Sequence, residues 1–134
     1  MIRVLIADDH DTVRKCVRTV LEIHNDVRVC AEAADGAEAI TKAVECHPDL
    51  VILDLTMPVK GGFEAATELR RIMPEVPILF CSIQEGPEVA KNAKQIGVRG
   101  YISKQHMSDL LIHAVDALVV HKTTFFPNPA TGTY

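Results

Sequence analysis

Residues 49–58 read Asp-Leu-Val-Ile-Leu-Asp-Leu-Thr-Met-Pro, and this stretch decides the fold. Its apolar run, 50–53, is short and unbroken, which is typical of a strand covered on both faces at the centre of a parallel sheet. Asp54 closes the run, and Pro58 with two glycines soon after indicates that the chain then enters a loop. Because open α/β sheets bind ligands at the carboxyl ends of their strands, Asp54 is predicted to be a functional carboxylate.

On both sides of this strand, short apolar runs alternate with longer amphipathic stretches, which indicates a parallel α/β sheet. Five strands are predicted, at 2–7, 27–33, 50–53, 76–82 and 99–103. The first helix is predicted to take Asp11 as its N-cap. Apolar residues at helical spacing define the inner faces of the second and third helices: Ala37, Ile40, Ala43 and Val44 in the second, Phe63, Ala66, Leu69 and Ile72 or Met73 in the third.

Length and composition favour one globular domain outside membranes. The chain has 134 residues and a net charge of -4, and it contains no apolar run long enough to span a bilayer. Its first residues meet acidic side chains too early for a signal peptide, so we expect a cytoplasmic protein. An acidic balance without a basic block argues against direct nucleic-acid binding by this segment.

The four cysteines are widely spaced and include no Cys-x-x-Cys pair: Cys16, Cys30, Cys46 and Cys81. Each lies in or beside an apolar segment, so we expect buried free thiols rather than a zinc site or disulfides. The histidines are similarly scattered, without metal-ligand spacing. The cysteines and histidines therefore predict no metal centre of their own.

Polar side chains follow four of the predicted strands: Asp8 and Asp9 the first, Asp54 the third, Ser82 the fourth and Lys104 the fifth. Right-handed crossovers bring these strand ends to one edge of the sheet. If the strands take the common doubly wound order 2-1-3-4-5, the first and third are neighbours and the three carboxylates converge.

Such a carboxylate cluster needs a counter-charge. Two unit negative charges about 4 Å apart repel by roughly 4 kcal/mol at an effective dielectric constant of about 20. The cluster must therefore stay partly protonated or bind a cation, and oxygen ligands favour Mg²⁺ or Mn²⁺ over zinc. We expect the neighbouring Asp11 to act as the helix cap and His10 to face solvent rather than bind metal.

Four motifs occur in order along the chain: the Asp8-Asp9 doublet, Asp54 in Asp-Leu-Thr-Met-Pro-x-x-x-Gly ending at Gly62, Ile-Leu-Phe-Cys-Ser ending at Ser82, and Gly-Tyr-Ile-Ser-Lys at 100–104. Together they resemble the CheY-like receiver domain of two-component response regulators. The resemblance covers about residues 2–121. It implies a flavodoxin-like (βα)5 fold, with a five-stranded parallel sheet in the order 2-1-3-4-5 and helices on both faces.

The same resemblance assigns roles to the acids. It implies that Asp54 accepts a phosphoryl group from a histidine kinase or phosphotransfer protein. It also implies that Asp9 binds Mg²⁺ directly and Asp8 through water, with Asp54 and the Thr56 backbone carbonyl completing the protein ligands. A carboxylate is independently a competent nucleophile for forming an aspartyl phosphate.

Lys104 and Ser82 are suited to the phosphoryl group itself. The ammonium of Lys104 supplies positive charge on a long stem, and the Ser82 hydroxyl is able to donate to a phosphoryl oxygen. The resemblance further implies that Ser82 and Tyr101 form a switch, in which Tyr101 turns inward when Ser82 moves and reshapes the face made by helix four, strand five and helix five. Thr56 and Gln84 occupy positions that tune phosphoryl hydrolysis in this family.

The predicted domain covers residues 1–121, and 122–134 are predicted to be a tail or truncated linker. The segment Lys-Thr-Thr-Phe-Phe-Pro from 122 is similar to the one that follows the receiver in the NarL/FixJ subfamily. Members of that subfamily continue into a LuxR-type helix-turn-helix domain, which we expect to be absent here. The chain is thus expected to be a receiver cut from a transcription regulator or a stand-alone receiver, with homodimerisation possible on phosphorylation.

Two other functions are weighed against a phosphorylation switch that turns over no free metabolite. A pseudo-receiver would be a fixed protein-binding module, and the intact acid cluster with Ser82 and Lys104 argues against it. A phosphatase of the haloacid dehalogenase type needs a second Asp two residues after the nucleophile, where Thr56 stands instead. The sequence therefore predicts a signalling domain rather than an enzyme, with self-catalysed phosphorylation and dephosphorylation only.

Overall fold

A five-stranded parallel sheet in the order β2-β1-β3-β4-β5 forms the centre of the molecule in the computed structural model, which describes residues 1–84, 86–128 and 133–134. The strands are β1 (Ile2–Ala7), β2 (Val27–Ala33), β3 (Leu50–Leu53), β4 (Ile78–Ser82) and β5 (Gly100–Ser103). The predicted strand order and flavodoxin-like (βα)5 fold are confirmed.

Helices cover both faces of the sheet. They are α1 (Asp11–Glu22), α2 (Gly36–Cys46), α3 (Gly62–Ile72), α4 (Pro87–Gln95) and α5 (Met107–Val115). A 3₁₀ turn (Lys104–His106) precedes α5, and a π-helical turn (Asp116–Val120) follows it. Buried side chains of α1 and α5 share one core with the sheet, and those of α2, α3 and α4 share the other. Within the described part of the chain, no helix is long and apolar enough to cross a membrane.

β3 is the fully buried central strand that its apolar run predicts. All four of its residues are buried, and it pairs with β1 on one side and β4 on the other. The hydrogen-bond ladder continues past the strand ends, because the Asp54 N–H donates to the Ala7 carbonyl (2.9 Å) and the Asp8 N–H donates to the Ala33 carbonyl (3.0 Å). These two bonds fix the backbone of both acids at the sheet edge.

Several predicted boundaries shift by one or two residues. β4 begins at Ile78 instead of residue 76, and the intervening Pro77 has no N–H to donate to a ladder. β5 begins at Gly100 instead of residue 99. At the end of α3 the alternative between Ile72 and Met73 is resolved, because Met73 is buried and Ile72 is exposed.

The prediction that Asp11 caps α1 is wrong. The N-cap is His10, and Asp11 is the first helical residue, where its carboxylate contacts Arg14 (3.0 Å) and Lys15 (3.1 Å). A negative charge in the first turn is favourable beside the exposed N–H groups of a helix. Asp11 therefore stabilises the start of α1 without capping it.

The inner face of α2 is rotated relative to the prediction. Ala39 and Ala43 are buried, whereas Val44 is 50% exposed and Ala37 is only partly buried. The reason is the starting point of the helix: the Asp35 side chain accepts the Glu38 N–H (2.8 Å), which places the first helical turn at Gly36 and fixes the helical phase.

Part of the predicted tail is docked on the sheet. Phe125 forms a parallel bridge with Gly100; its N–H donates to the Arg99 carbonyl (2.9 Å), and its carbonyl accepts the Tyr101 N–H (2.9 Å). The Phe125 ring stacks on Tyr134, with centroids 4.8 Å apart. Residues 129–132 of the predicted tail lie outside the described residues.

We expect Gly62→Ala to destabilise the fold. A Cβ at Gly62 would lie 2.3 Å from the Asp54 carbonyl oxygen and 2.7 Å from the Leu55 Cα, so the loop after β3 would have to move. Overpacking against backbone typically costs about 1–3 kcal/mol, to be measured as the free energy of unfolding in urea.

Gly61→Ala is the matched control, because a Cβ there meets its nearest atom at an ordinary 3.5 Å. Its unfolding free energy is expected to stay within about 0.5 kcal/mol of the wild type. Equal destabilisation by both substitutions would contradict the assignment of the close approach to Gly62.

Candidate functional site

The structure gathers the predicted polar residues at the carboxyl edge of the sheet. Asp8 and Asp54 follow the neighbouring strands β1 and β3 and are buried, with 3% and 4% of their surface exposed. Asp9 is exposed beside them. Ser82 ends β4 and is completely buried, and Lys104 follows β5 directly.

Lys104 reaches across the sheet edge to both buried acids. Its Nζ lies 2.7 Å from Asp8 Oδ2 and 3.3 Å from Asp54 Oδ2, and its side chain is largely buried. Burial alone would lower the pKa of Lys104, but the hydrogen bond to Asp8 and the charges of Asp54 and Asp8 together raise it above its ordinary value. Lys104 therefore stays positively charged in neutral solution.

Asp54 remains costly to ionise in spite of this ammonium. Burial and the negative charge of Asp8 raise the pKa of Asp54, although Lys104 and a hydrogen bond from the Thr56 backbone N–H oppose the rise. The carboxylate is thus under-neutralised, and additional positive charge at this position would stabilise its ionised form.

Four side chains in this corner are arranged to hold a metal ion. Asp8, Asp9, His10 and Asp54 each offer a ligand atom, and these atoms all lie within 4.8 Å of one another. Three ionised carboxylates and the Lys104 ammonium together carry a net charge of -2, from three negative charges and one positive. This donor set fits a hard divalent cation that takes oxygen ligands.

His10 is the residue that sequence reasoning did not place here. Its side chain is exposed as expected, but its Nδ1 lies 3.2 Å from Asp8 Oδ1 and 3.1 Å from Asp9 Oδ1. Its backbone N–H also donates to Asp8 Oδ1 (2.9 Å). The signal available in the sequence was its position directly after the Asp doublet, since His10 is the N-cap of α1 and stays next to the strand end.

A hydrogen-bonded network through Gln84 links Ser82 and the loop after Asp54 to β5. The Gln84 backbone N–H donates to Ser82 Oγ (3.2 Å), and its carbonyl accepts the Tyr101 hydroxyl. The Gln84 side-chain amide donates to Thr56 Oγ1 (2.9 Å). Tyr101 is buried, with 4% of its surface exposed. One loop residue therefore contacts both predicted switch residues and the loop that follows Asp54.

We expect Asp54→Asn to raise the thermal stability of the metal-free protein. Because the folded-state pKa of Asp54 lies above its unfolded value, stability falls as the pH rises from the ordinary aspartate range through the raised pKa, and the loss persists at neutral pH. An amide removes this cost, so the midpoint temperature at neutral pH should rise by a few degrees, measured by calorimetry.

Asp11→Asn serves as the control for this prediction. Asp11 is exposed, and its hydrogen bond with Lys15 lowers the pKa of its carboxyl, so removing that charge should not raise the midpoint. A fall in midpoint for Asp54→Asn at neutral pH would contradict the under-neutralised cluster.

Comparison with known proteins agrees with this geometry. The family model of the response regulator receiver domain matches residues 4–116. The chain is 36% identical over 127 residues to the response regulator protein VraR of Staphylococcus epidermidis, covering 94% of this chain and 60% of that protein. The chain thus spans between about half and three fifths of the length of these curated relatives.

Solved structures show the same similarity. A LuxR-family two-component response regulator from Aurantimonas sp. SI85-9A1 superposes with a TM-score of 0.90 at 33% identity, covering 97% of this chain and 93% of that one. The signal receiver domain of the putative response regulator NarL from Mycobacterium tuberculosis superposes with a TM-score of 0.84 at 29% identity. The match covers 89% of this chain and 96% of that one.

Receiver domains bind Mg²⁺ at an acidic pocket, work with histidine kinases, and are signalling domains rather than classical enzymes. The pocket here is the cluster formed by Asp8, Asp9, His10 and Asp54. From its sheet order, its acidic corner and these similarities, the chain belongs to the receiver-domain family of two-component response regulators and is NarL/LuxR-like.

Proposed function

We propose that Asp54 accepts a phosphoryl group from a histidine kinase or phosphotransfer protein and that the chain thereby controls an output. The observation that carries this proposal is the position of Lys104, whose ammonium lies between two buried carboxylates from different strands. An ammonium held in this way is fixed before any substrate arrives, which is the condition for electrostatic stabilisation of a developing charge.

The transfer needs little covalent chemistry from the protein. An Asp54 carboxylate oxygen attacks the phosphorus, and the bond from phosphorus to the donor nitrogen of a phosphohistidine breaks, leaving the imidazole to the kinase. The raised pKa of Asp54 is consistent with a basic, poorly solvated nucleophile. Lys104 then faces the new phosphoryl oxygens, and the buried Ser82 hydroxyl is a hydrogen-bond donor for them.

We assign the cation site to Asp8, Asp9, Asp54 and the Thr56 backbone carbonyl, with Mg²⁺ or Mn²⁺ as the ion. When bound, such an ion neutralises charge on the transferring phosphoryl group and on the acids. Asp9 is the most accessible of the three carboxylates and is assigned direct contact; Asp8, engaged by Lys104 and by the His10 N–H, is assigned contact through water.

We place the switch at Gln84. Rotation of Tyr101 on phosphorylation stays a prediction, and in this structure its ring already lies inward, with its hydroxyl on the Gln84 carbonyl. If the Ser82 side chain rotates so that its hydroxyl donates to a phosphoryl oxygen, its Oγ moves away from the Gln84 N–H from which it now accepts a hydrogen bond. The loop then shifts the acceptor of Tyr101, and the change reaches β5.

The face formed by α4, β5 and α5 is the proposed output or dimerisation surface. The relatives include a transcriptional regulatory protein and LuxR-family regulators, so we propose that the output is transcription through a DNA-binding domain and that this segment contacts no nucleic acid itself. We place the receiver at residues 1–121, with 122–134 as the connecting segment. A cytoplasmic location follows from a histidine-kinase partner.

The direct test is covalent labelling. Purified chain treated with acetyl phosphate and Mg²⁺ should gain the mass of one phosphoryl group per molecule, in an acid-stable and base-labile form. Asp54→Ala should gain none, because it lacks the accepting carboxylate. The measurement is intact-protein mass spectrometry at successive times.

Two other outcomes of the labelling experiment would indicate a different function. A wild-type chain that never gains the phosphoryl mass would be a pseudo-receiver acting as a binding module. Continuous release of phosphate over many turnovers would instead indicate a phosphatase. Asp11→Asn, which changes an exposed carboxylate outside the cluster, should label like the wild type.

We expect Asp9→Asn to weaken Mg²⁺ binding by about tenfold or more, since it removes a charged ligand from the cluster. Isothermal titration with Mg²⁺ and electron paramagnetic resonance with Mn²⁺ both report binding without any phosphodonor. Asp11→Asn again provides the control, and equal weakening in both variants would exclude a specific role for Asp9.

Tyr101→Phe should loosen the loop between β4 and α4 while leaving phosphoryl acceptance intact, because the lost hydroxyl donates to the Gln84 carbonyl and the carboxylate of Asp54 is retained. The readout is faster hydrogen exchange of the Gln84 amide by NMR, at unchanged labelling of Asp54. Thr19→Ala removes a hydroxyl that donates to the Lys15 carbonyl within α1 and should leave Gln84 exchange unchanged. Unaltered exchange in Tyr101→Phe would contradict the proposed relay.

A further inference from the structure

Cys30 occupies an irregular position in the sheet. In the pairing of β1 with β2, Val4 faces Val29 but the next residue, Leu5, faces Ala31, so Cys30 is an extra residue in β2. Such a bulge redirects a side chain out of the regular alternation of a strand, and it is rare in parallel pairs. The contacts of the Cys30 side chain are therefore of interest.

Cys30 meets Cys46. The two Sγ atoms lie 3.1 Å apart, although the residues are 16 positions apart and belong to different elements, β2 and the last residue of α2. Both side chains are partly exposed, so a small solute has access to the pair. The expectation of four buried thiols is thus wrong for this pair and for the exposed Cys16, and holds only for Cys81.

We propose that Cys30 and Cys46 are a redox-active dithiol that hydroperoxides oxidise to an intramolecular disulfide. This inference is independent of phosphorylation at Asp54. It also reverses the sequence-based expectation that no disulfide forms, because the sequence spacing gives no sign that these two residues meet. Cysteine pairs of this kind in reducing compartments are usually transient and redox-sensing.

The reaction balances in two steps. One sulfur of the pair attacks one oxygen of hydrogen peroxide, the O–O bond breaks, and water leaves, giving a sulfenic acid on that cysteine. The sulfur of the other cysteine then attacks the sulfenic sulfur; the S–S bond forms, the S–O bond breaks, and the proton of the second thiol leaves with the hydroxide as a second water. Two thiols lose two electrons, and one peroxide becomes two waters.

Burial lowers the reactivity of a thiol in this sheet. Burial and the hydrogen bond with Cys46 raise the pKa of Cys30 to about 12. Because the thiolate is the reacting form of cysteine, the raised pKa slows the reaction of Cys30 with peroxide in neutral solution. Cys81 lies beside the acid cluster, but burial raises its pKa to about 12 as well, and its buried position excludes the oxidant.

The bond would join the middle of β2 to the last residue of α2. Cys46 closes α2 shortly before β3 begins at Leu50, and its carbonyl accepts a hydrogen bond from the Arg3 guanidinium near the start of β1. Arg3 also donates to the His47 carbonyl (3.0 Å). Since this corner is already held by hydrogen bonds, the disulfide should close without rearranging the sheet.

The test uses the full chain, reduced and then exposed to a few equivalents of hydrogen peroxide. The wild type should lose the mass of two hydrogen atoms while remaining a monomer, and two of its four thiols should resist alkylation after denaturation. Trypsin should then release residues 29–42 and 43–60 as one linked species that reduction separates. Absence of the linked species, or linkage through Cys16 or Cys81, would overturn the proposal.

Variants provide matched controls. Cys16→Ser removes the exposed thiol of α1 and should still lose two hydrogen atoms, whereas Cys30→Ser and Cys46→Ser should not. The oxidised wild type should also melt several degrees above the reduced form, because the bond closes a loop of intermediate length. A lower midpoint would show that the bond forms only by distorting β2, and would overturn the claim that the pair is positioned for it.

Discussion

The contact of one ammonium with two buried carboxylates is the interaction on which the rest of this structure depends. Lys104 follows the edge strand β5, while Asp8 and Asp54 follow the neighbouring inner strands β1 and β3, so the ion pairs tie together the carboxyl ends of strands far apart in sequence. Without it, neighbouring carboxylates in a buried corner would repel one another by several kcal/mol. With it, the corner still carries excess negative charge, and that imbalance makes it a cation site.

The proposed coupling of this corner to β5 requires a free energy that hydrogen bonds are able to supply. Reversing a strongly biased two-state equilibrium needs about 5.5 kcal/mol of differential binding. Hydrogen bonds to charged groups contribute about 1.5–3 kcal/mol each, so the proposed contacts from Ser82 and Lys104 to one phosphoryl group would approach that figure. The proposed response would pass through Gln84, because its N–H contacts Ser82, its carbonyl contacts Tyr101 and its side chain contacts Thr56.

Much of this was predictable from sequence, and the failures have physical causes. The apolar run of β3 and the polar residues after four of the strands suffice to predict that these residues meet at one edge of a parallel sheet. The order 2-1-3-4-5, on which the convergence of Asp8, Asp9 and Asp54 depends, came from the common doubly wound arrangement and from the family resemblance. The phase of α2 depended on the Asp35 cap, which the hydrophobic pattern does not report. The proximity of His10 to the acids and the bulge at Cys30 depend on backbone detail within a turn and a ladder, where residue identity carries little signal.

The segment around Phe125 affects how readily other chains pair with the sheet. β5 is an edge strand, and exposed edges with free N–H and carbonyl groups recruit other chains into intermolecular sheets. Here the Phe125 carbonyl accepts the Tyr101 N–H, and the Phe125 N–H donates to the Arg99 carbonyl. A strand of another protein would use these same two backbone groups of the edge. The segment therefore occupies the edge of β5. Any partner that adds a strand to this side of the sheet must first displace it.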